Sequence, residues 1–267
     1  APSPRKIGDT YYLIYSSVQL TELCYATSDS PTSGFSYGGV IVSNNDQGIA
    51  SYKPADRPMA YGANNHGSIV EILGQWYIFY HRHTHGTNFS RQACAEAIEI
   101  LPDGSIPQVE LSSCGLNGGP LPGEGEYPGY IACHLFTDEI NPYTGGMGDN
   151  GFWMDARFPK ITQDGGDGDE TPGYVFHMCD SATAGYKSFD CRGVERVTVR
   201  TRAYCHGEFE LRTSWDGEVL GRIPVYSSNL WREHSAEIRI PDGVHALYFT
   251  YRGTGAPSLG SFTLHCP

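Results

Sequence analysis

Residues 7–15 read IGDTYYLIY, and residues 72–80 read ILGQWYIFY. The two stretches lie 65 positions apart and align without a gap. Tyr11 falls on Trp76, Tyr12 on Tyr77, and Leu13-Ile14-Tyr15 on Ile78-Phe79-Tyr80. Each is a short polar turn followed by an aromatic, β-branched run, as expected of a strand entered through a tight turn. Self-similarity at a fixed spacing marks a repeated supersecondary unit. A further strand follows in each copy, Leu23-Cys24-Tyr25-Ala26-Thr27-Ser28 in the first and Arg91-Gln92-Ala93-Cys94-Ala95-Glu96 in the second. Gly39-Val40-Ile41-Val42 and Ala97-Ile98-Glu99-Ile100 then read as closing strands. One copy is therefore a four-stranded antiparallel unit, a propeller blade, and the chain holds two of them. A closed propeller needs about four to eight blades. The chain also opens inside a hairpin, where a missing neighbour would leave an unpaired edge. Both features predict further blades upstream.

Residues 112–151 are rich in Gly and Pro and carry little periodicity, so they read as a linker wrapping the blades. Alternating runs then recur at 194–202, 208–213, 218–225, 235–240, 244–251 and 261–265. Turns such as Trp215-Asp216-Gly217 and Pro241-Asp242-Gly243 separate them. That spacing belongs to a β-sandwich of the jelly-roll kind. The expected fold is all-β, with residues 1–111 as the last blades of a propeller and residues 152–267, starting near Phe152, as a sandwich module.

Thirty acidic residues against eighteen basic ones give a formal net charge of -12. Phosphate-binding surfaces and anionic membranes demand clustered Lys and Arg, so nucleic acid and membrane partners are excluded. No apolar run is long enough to cross a bilayer, and a start without a signal-peptide pattern reads as a mature form or a fragment of one. A neutral polysaccharide is indifferent to net charge. The eight cysteines form no CxxC pair, which argues against zinc ribbons and redox motifs. Disulfides in a secreted protein are the expectation.

Candidate functional residues follow the strand pattern. His66, in Asn64-Asn65-His66-Gly67-Ser68, heads the second blade. The first strand of a blade lines the central channel, so His66 reads either as a channel ligand for sugar, water or cation, or as a hydrogen-bonded structural histidine. His81, His83 and His85 share one face of an extended strand, which fits a metal site or a strand end turning into a polar loop. Arg91 opens a strand, and its guanidinium either forks onto vicinal hydroxyls or holds a carboxylate in a pocket, or makes an ordinary surface ion pair. Tyr186 and Trp231 read as loop aromatics, either stacking on the C–H faces of a pyranose or serving as packing caps. The acidic run at 163–170 reads as a solvated loop, with calcium as the alternative. Glycoside hydrolysis needs two opposed carboxylates. Asp29, Asp46, Asp56, Glu71, Glu96 and Glu99 mostly fall in turns or on strand exteriors, and none has the setting of a channel acid.

Taken together, SPRKIGDTYYLIYSS, CYATSDSPTSGFSYGGVIVSN, NNHGSIVEILGQWYIFYHRHTHGTNFSRQACAEAIEI and SCGLNGGPL cover nearly all of residues 1–121. They resemble glycoside hydrolase family 43, of the β-xylosidase and α-L-arabinofuranosidase type. Residues from about 152 resemble a family 6 carbohydrate-binding module. The resemblance implies a five-bladed propeller and inverting release of xylose or arabinofuranose from xylan or arabinoxylan. The base and tuning Asp residues and the acid Glu would fall upstream of Ala1, on the N-terminal polypeptide of the same enzyme. His66 matches a channel histidine that ligands a central calcium, and Arg91 an arginine contacting the innermost sugar. Tyr186 and Trp231 match the aromatic pair of the module, whereas Ser258 and Gly260 stand where such modules carry Asn for sugar and Asp for calcium. That departure points to a buttress rather than a lectin. A non-catalytic, polysaccharide-binding or scaffold fragment is the alternative.

Overall fold

The computed structural model describes residues 2–18, 21–50, 52–60, 65–87, 89–138, 157–166 and 171–267. Its first sheet is an antiparallel meander of β1 (Ser3–Ile7), β2 (Thr10–Ser16), β3 (Glu22–Ser28) and β4 (Ser36–Ser43). The second contains β5 (Ser68–Ile72), β6 (Gln75–His83) and β7 (Arg91–Ile98), also in sequence order. Ile7 pairs with Thr10 and Ile72 with Gln75, so both hairpins close through two residues. In the second, Leu73 and Gly74 take φ of +52° and +84°. Two positive φ values match the twist of paired strands, although a leucine reaches that region only with strain.

The sequence repeat is also a spatial one. Ser3 and Ser68, one repeat apart, are joined hydroxyl to hydroxyl at 2.9 Å, and Arg5 Nε donates to the carbonyl of Ile69 at 3.0 Å. Equivalent first strands thus lie side by side. The sheets share one apolar core of Tyr12, Ile14, Leu23, Ile41, Ile69, Ile78 and Ile98, all buried. Residues 97–100, expected as a closing strand, are not one: β7 runs unbroken to Ile98, because no turn-forming residue interrupts it. Among the described residues the second sheet therefore has three strands.

A ten-stranded sheet forms the rest. Its members are β8 (Leu121–Pro122), β9 (Gly125–Pro128), β10 (His134–Phe136), β11 (Lys160–Thr162), β12 (Tyr174–Phe176), β13 (Thr183–Cys191), β14 (Arg196–Arg212), β15 (Gly221–Glu237), β16 (Gly243–Thr254) and β17 (Ser258–His265). One half of β14 pairs with β17 and the other with β16, so the sheet curls around a core that includes Tyr186, Phe189, Phe209, Phe249 and Phe262. The Gly- and Pro-rich stretch after residue 111 supplies β8, β9 and β10, which pair with β13 and β17. Phe152 and residues 139–151 of the expected linker lie outside the described residues.

Two expected strand pairs are single long strands. Runs 194–202 and 208–213 merge into β14, and 218–225 and 235–240 largely merge into β15. Register shifts at Thr201/Ala203 and Ala203/His206 absorb the irregularity that reads as a turn in the sequence. The structure joins no two of the eight cysteines in a disulfide, so the expected disulfides are not seen in it. Cys133 lies fully in the interior, where burial pushes its thiol up to about 12.

The blades and the curled sheet meet at a buried charge network. Asp46 follows β4 at φ +56°, a conformation Asp tolerates. Its Oδ2 accepts from Lys187 Nζ at 2.9 Å and from His134 Nε2 at 2.7 Å, and its Oδ1 from the Leu111 N–H at 2.8 Å. Lys187 also reaches Glu110 at 2.9 Å, and His134 Nδ1 accepts from the Tyr248 hydroxyl at 2.8 Å. Burial opposes ionisation of Asp46, but His134 and Lys187 outweigh it and hold the carboxyl at about 2. Burial and the neighbouring ammonium keep His134 neutral, at about 4. The placement of Asp46 corrects its expected turn-surface setting: it is 1 % exposed. Replacing Lys187 by Met leaves the buried Asp46 carboxylate without a counter-charge and should cost about 3–5 kcal/mol of stability. Urea denaturation checks this, and an unchanged midpoint would mean the network does not hold the units together.

Candidate functional site

His83 pairs directly with Arg91 across β6 and β7, and His81 lies two residues back on the same face. The rings of His81 and His83 are parallel, with centroids 6.0 Å apart, and His66 joins them 5.3 Å from His81. Gly67 makes this possible. A Cβ there would lie 1.8 Å from the Phe79 carbonyl, so only glycine lets the chain press His66 against β6. Asn65, just before His66, is itself fixed: fully buried, it donates to Asn44 Oδ1 at 2.9 Å and accepts from the His81 N–H at 3.3 Å.

Burial first, and then the Arg91 guanidinium, hold His81 and His83 at about 4. Burial is also the chief influence that lowers His66. All three are neutral imidazoles at ordinary pH. The cluster does not suit calcium, which takes about six to eight oxygen ligands, whereas these neighbours are ring nitrogens and a guanidinium. Among the described residues no group of three or more His, Cys, Asp or Glu is placed to hold a metal. The expected trio of His81, His83 and His85 is split, because β6 ends at His83. His85 turns away at φ +57°, with its Nδ1 2.8 Å from the Thr162 hydroxyl.

Beyond Arg91 a cleft of about 510 Å³ opens between the blades and the curled sheet. Arg91, Gln92 and His85 line one wall, and Tyr130, Thr162 and Gln163 the other. The walls are tied together, since His85 N–H donates to the Ile161 carbonyl at 2.9 Å and Gln92 Nε2 to the Tyr130 carbonyl at 3.0 Å. No Asp or Glu lines this cleft among the described residues. Asp167, Asp169 and Glu170 of the acidic run lie outside them. Gln92, Tyr130, Thr162 and Gln163 escape the sequence reading, because single polar residues carry no pattern.

Tyr186 is not a loop aromatic. It sits in β13, 0 % exposed, with its hydroxyl donating to the Gly129 carbonyl at 3.0 Å and its ring tilted against Phe262. No face remains for a sugar. Trp231 lies within β15 rather than in a turn, half-buried. The Arg202 guanidinium stands 4.6 Å from its ring centre and Tyr174 meets it edge-on at 5.3 Å. A Cβ on Gly260 would lie 2.8 Å from the indole, so the ring fills the space a side chain at 260 would take. The two aromatics do not form a clamp.

Glu96, expected on a strand exterior, is 5 % exposed. Tyr80 OH donates to it at 3.0 Å and the Ser112 N–H at 2.9 Å. Burial outweighs these bonds and raises its carboxyl to about 7.

The chain is 67 % identical over 264 residues to a xylosidase/arabinosidase of Thermoclostridium stercorarium. The chain resembles the xylosidase/arabinosidase enzymes of glycoside hydrolase family 43. That match takes in 99 % of this chain and 55 % of the relative, so the chain spans about half the relative's length. Among solved structures it is similar to a glycoside hydrolase family 43 arabinoxylan arabinofuranohydrolase from Bacillus subtilis in complex with cellotetraose. That likeness has a TM-score of 0.49 and 19 % identity, over 100 % of this chain and 54 % of that one. It is also similar to CsCBM6-3 from Clostridium stercorarium in complex with cellobiose, with a TM-score of 0.43 and 16 % identity, over 56 % of this chain and 99 % of that one. No family model matches.

Two measurements check these charge states. In an NMR titration the His81 and His83 imidazoles should stay neutral until about pH 4, and protonation near 6.5 would show that the cluster is solvated. Glu96 is raised in the folded state from 4.5 to about 7, so its contribution is complete below 4.5 and lost as pH rises through about 7. Glu96→Gln should remove that loss, worth at most about 3 kcal/mol. Parallel stability–pH curves for the two proteins would refute the assignment.

Proposed function

We propose that this chain belongs to glycoside hydrolase family 43 and is part of an enzyme that acts on xylan or arabinoxylan, releasing xylose or arabinofuranose with inversion. The observation that carries this is the match, along nearly the whole chain, to a xylosidase/arabinosidase. The Arg91 cleft supplies the binding chemistry. The guanidinium presents paired donors to vicinal hydroxyls, and Gln92, Thr162 and Gln163 offer neutral donors and acceptors across from it. The neutral imidazoles of His66, His81 and His83 set no positive charge beside an oxocarbenium-like transition state.

The proton-transferring carboxylates are proposed to come from outside this chain. Inversion needs an acid and a base about 6.5–9.5 Å apart across the glycosidic bond. The three buried acids among the described residues are unsuited to those roles. Asp46 is committed to Lys187, His134 and the Leu111 amide, Glu96 to Tyr80 and Ser112, and Glu210 to Arg212 and Arg222. The burial of Tyr186 removes the aromatic clamp that motivated a purely polysaccharide-binding role.

The test is hydrolysis of aryl xyloside and aryl arabinofuranoside by this chain alone and by the chain joined to its N-terminal polypeptide. Activity is expected only in the joined protein. There, Arg91→Ala should lower kcat/KM by about 10- to 150-fold, the worth of a hydrogen bond to a charged group. Full activity of the isolated chain would place the acids within it and overturn the assignment, and an unaffected Arg91→Ala would remove Arg91 from the site.

A further inference from the structure

A second concavity lies on the first sheet, apart from the Arg91 cleft. It is a groove of about 470 Å³ running from the β2–β3–β4 surface to the turn at residues 103–105. Tyr12 and Tyr25 form its floor, their rings stacked with centroids 6.2 Å apart and each no more than 3 % exposed. The turn is fastened to that floor, because Tyr12 OH donates to the Gly104 carbonyl at 2.7 Å and the Ile106 N–H to Tyr25 OH at 3.0 Å. Glycines keep the groove open and thin-walled. A Cβ on Gly38 would fall 2.1 Å from the Tyr25 ring, and one on Gly104 2.9 Å from the Tyr12 hydroxyl. The groove is thus preformed on rigid strands, and its volume falls within the range of about 300–1,000 Å³ usual for ligand sites.

Its chemistry narrows the ligand. Asp29 and Asp103 stand in its wall with the hydroxyls of Thr27, Ser36 and Ser105, and no Lys, Arg or His is present. Asp103 is held in place by the Ser105 hydroxyl at 2.7 Å and the Ser105 N–H at 3.0 Å. Such a wall repels anions. It also gives an apolar ligand little to bury against, because its oxygens would lose water without new partners. Two carboxylates supply too few oxygens for a hard cation, and no metal-holding group occurs among the described residues. Neutral polyols suit this mix of carboxylates and hydroxyls, and organic cations are the rival class. Adjacent sugar hydroxyls donate well to ionised carboxylates, and hydroxyl side chains act as both donor and acceptor.

We propose that this groove is a second carbohydrate site, taking a neutral xylo-oligosaccharide segment at a distance from the Arg91 cleft. The choice of xylan rests on the proposed function, whereas the polyol chemistry rests on the groove alone. The test is a two-dimensional amide NMR titration of the chain with xylotetraose. Shifts at Gly38 and Ser105 report the groove, and shifts at Gln92 and Thr162 the cleft. Saturable groove shifts at millimolar ligand are expected, and they should persist in Arg91→Ala. They should weaken at least tenfold in Asp29→Ala/Asp103→Ala and vanish in Ser36→Trp, which fills the groove, with denaturation midpoints unchanged. Cleft shifts without groove shifts would overturn this inference and leave the proposed function standing. Groove shifts without cleft shifts would do the reverse. A groove that responds to calcium or spermidine but not to xylotetraose also defeats the proposal.

Discussion

The rest of the molecule is arranged around the contact between the Lys187 ammonium and the Asp46 carboxylate. Both are withdrawn from water, at 0 % and 1 % side-chain exposure. Neither charge could stay there alone, since an isolated buried ion costs far more than a folded domain has to spare. Each is stable only while the other is in place, and they come from opposite halves of the chain. His134 and Glu110, from the connecting stretch, complete the coordination. A displacement of either half would break charge-assisted bonds in a dry interior, so the network fixes orientation as well as contact. Around it an apolar patch of Met59, Phe136 and Tyr248 excludes solvent.

The Arg91 cleft depends on that fixed arrangement. One wall belongs to β7 and the turn after β6 and the other to β11 and the turn at Tyr130. Its polar groups are single residues separated by long stretches of sequence, and they converge only when the curled sheet is docked. The second unit therefore acts as a structural wall of the site. This agrees with Trp231 occupying the space above Gly260, and with Tyr186 sealed in the core. The electrostatics follow from the same packing. The imidazoles beside Arg91 are kept neutral chiefly by desolvation, which disfavours any further positive charge there.

Much of the fold is legible in the sequence, for identifiable reasons. The blade repeat can be read because side-chain alternation and turn chemistry impose a period on each hairpin. The Ser3–Ser68 contact is that repeat expressed in space. The breaks read at 203–207 and 226–234 fail, because β-bulges let polar, irregular residues stay within a strand. Asp46 and Glu96 are misread for a related reason. An acid in a turn or near a strand end looks solvated until the partner that buries it is known, and here that partner is Lys187 or Tyr80 with Ser112.

The sequence alone determined the all-β class, the two-blade repeat, the following sandwich-like unit and Arg91 as a residue worth following. These depend on local periodicity and turn preference, which act over a few residues. Only the tertiary structure decided that Tyr186 is core, that His66 rather than His85 joins His81 and His83, and that Gln163 and Tyr130 face Arg91. Such facts depend on which surfaces are desolvated against one another, a property of contacts between distant segments that no local pattern encodes.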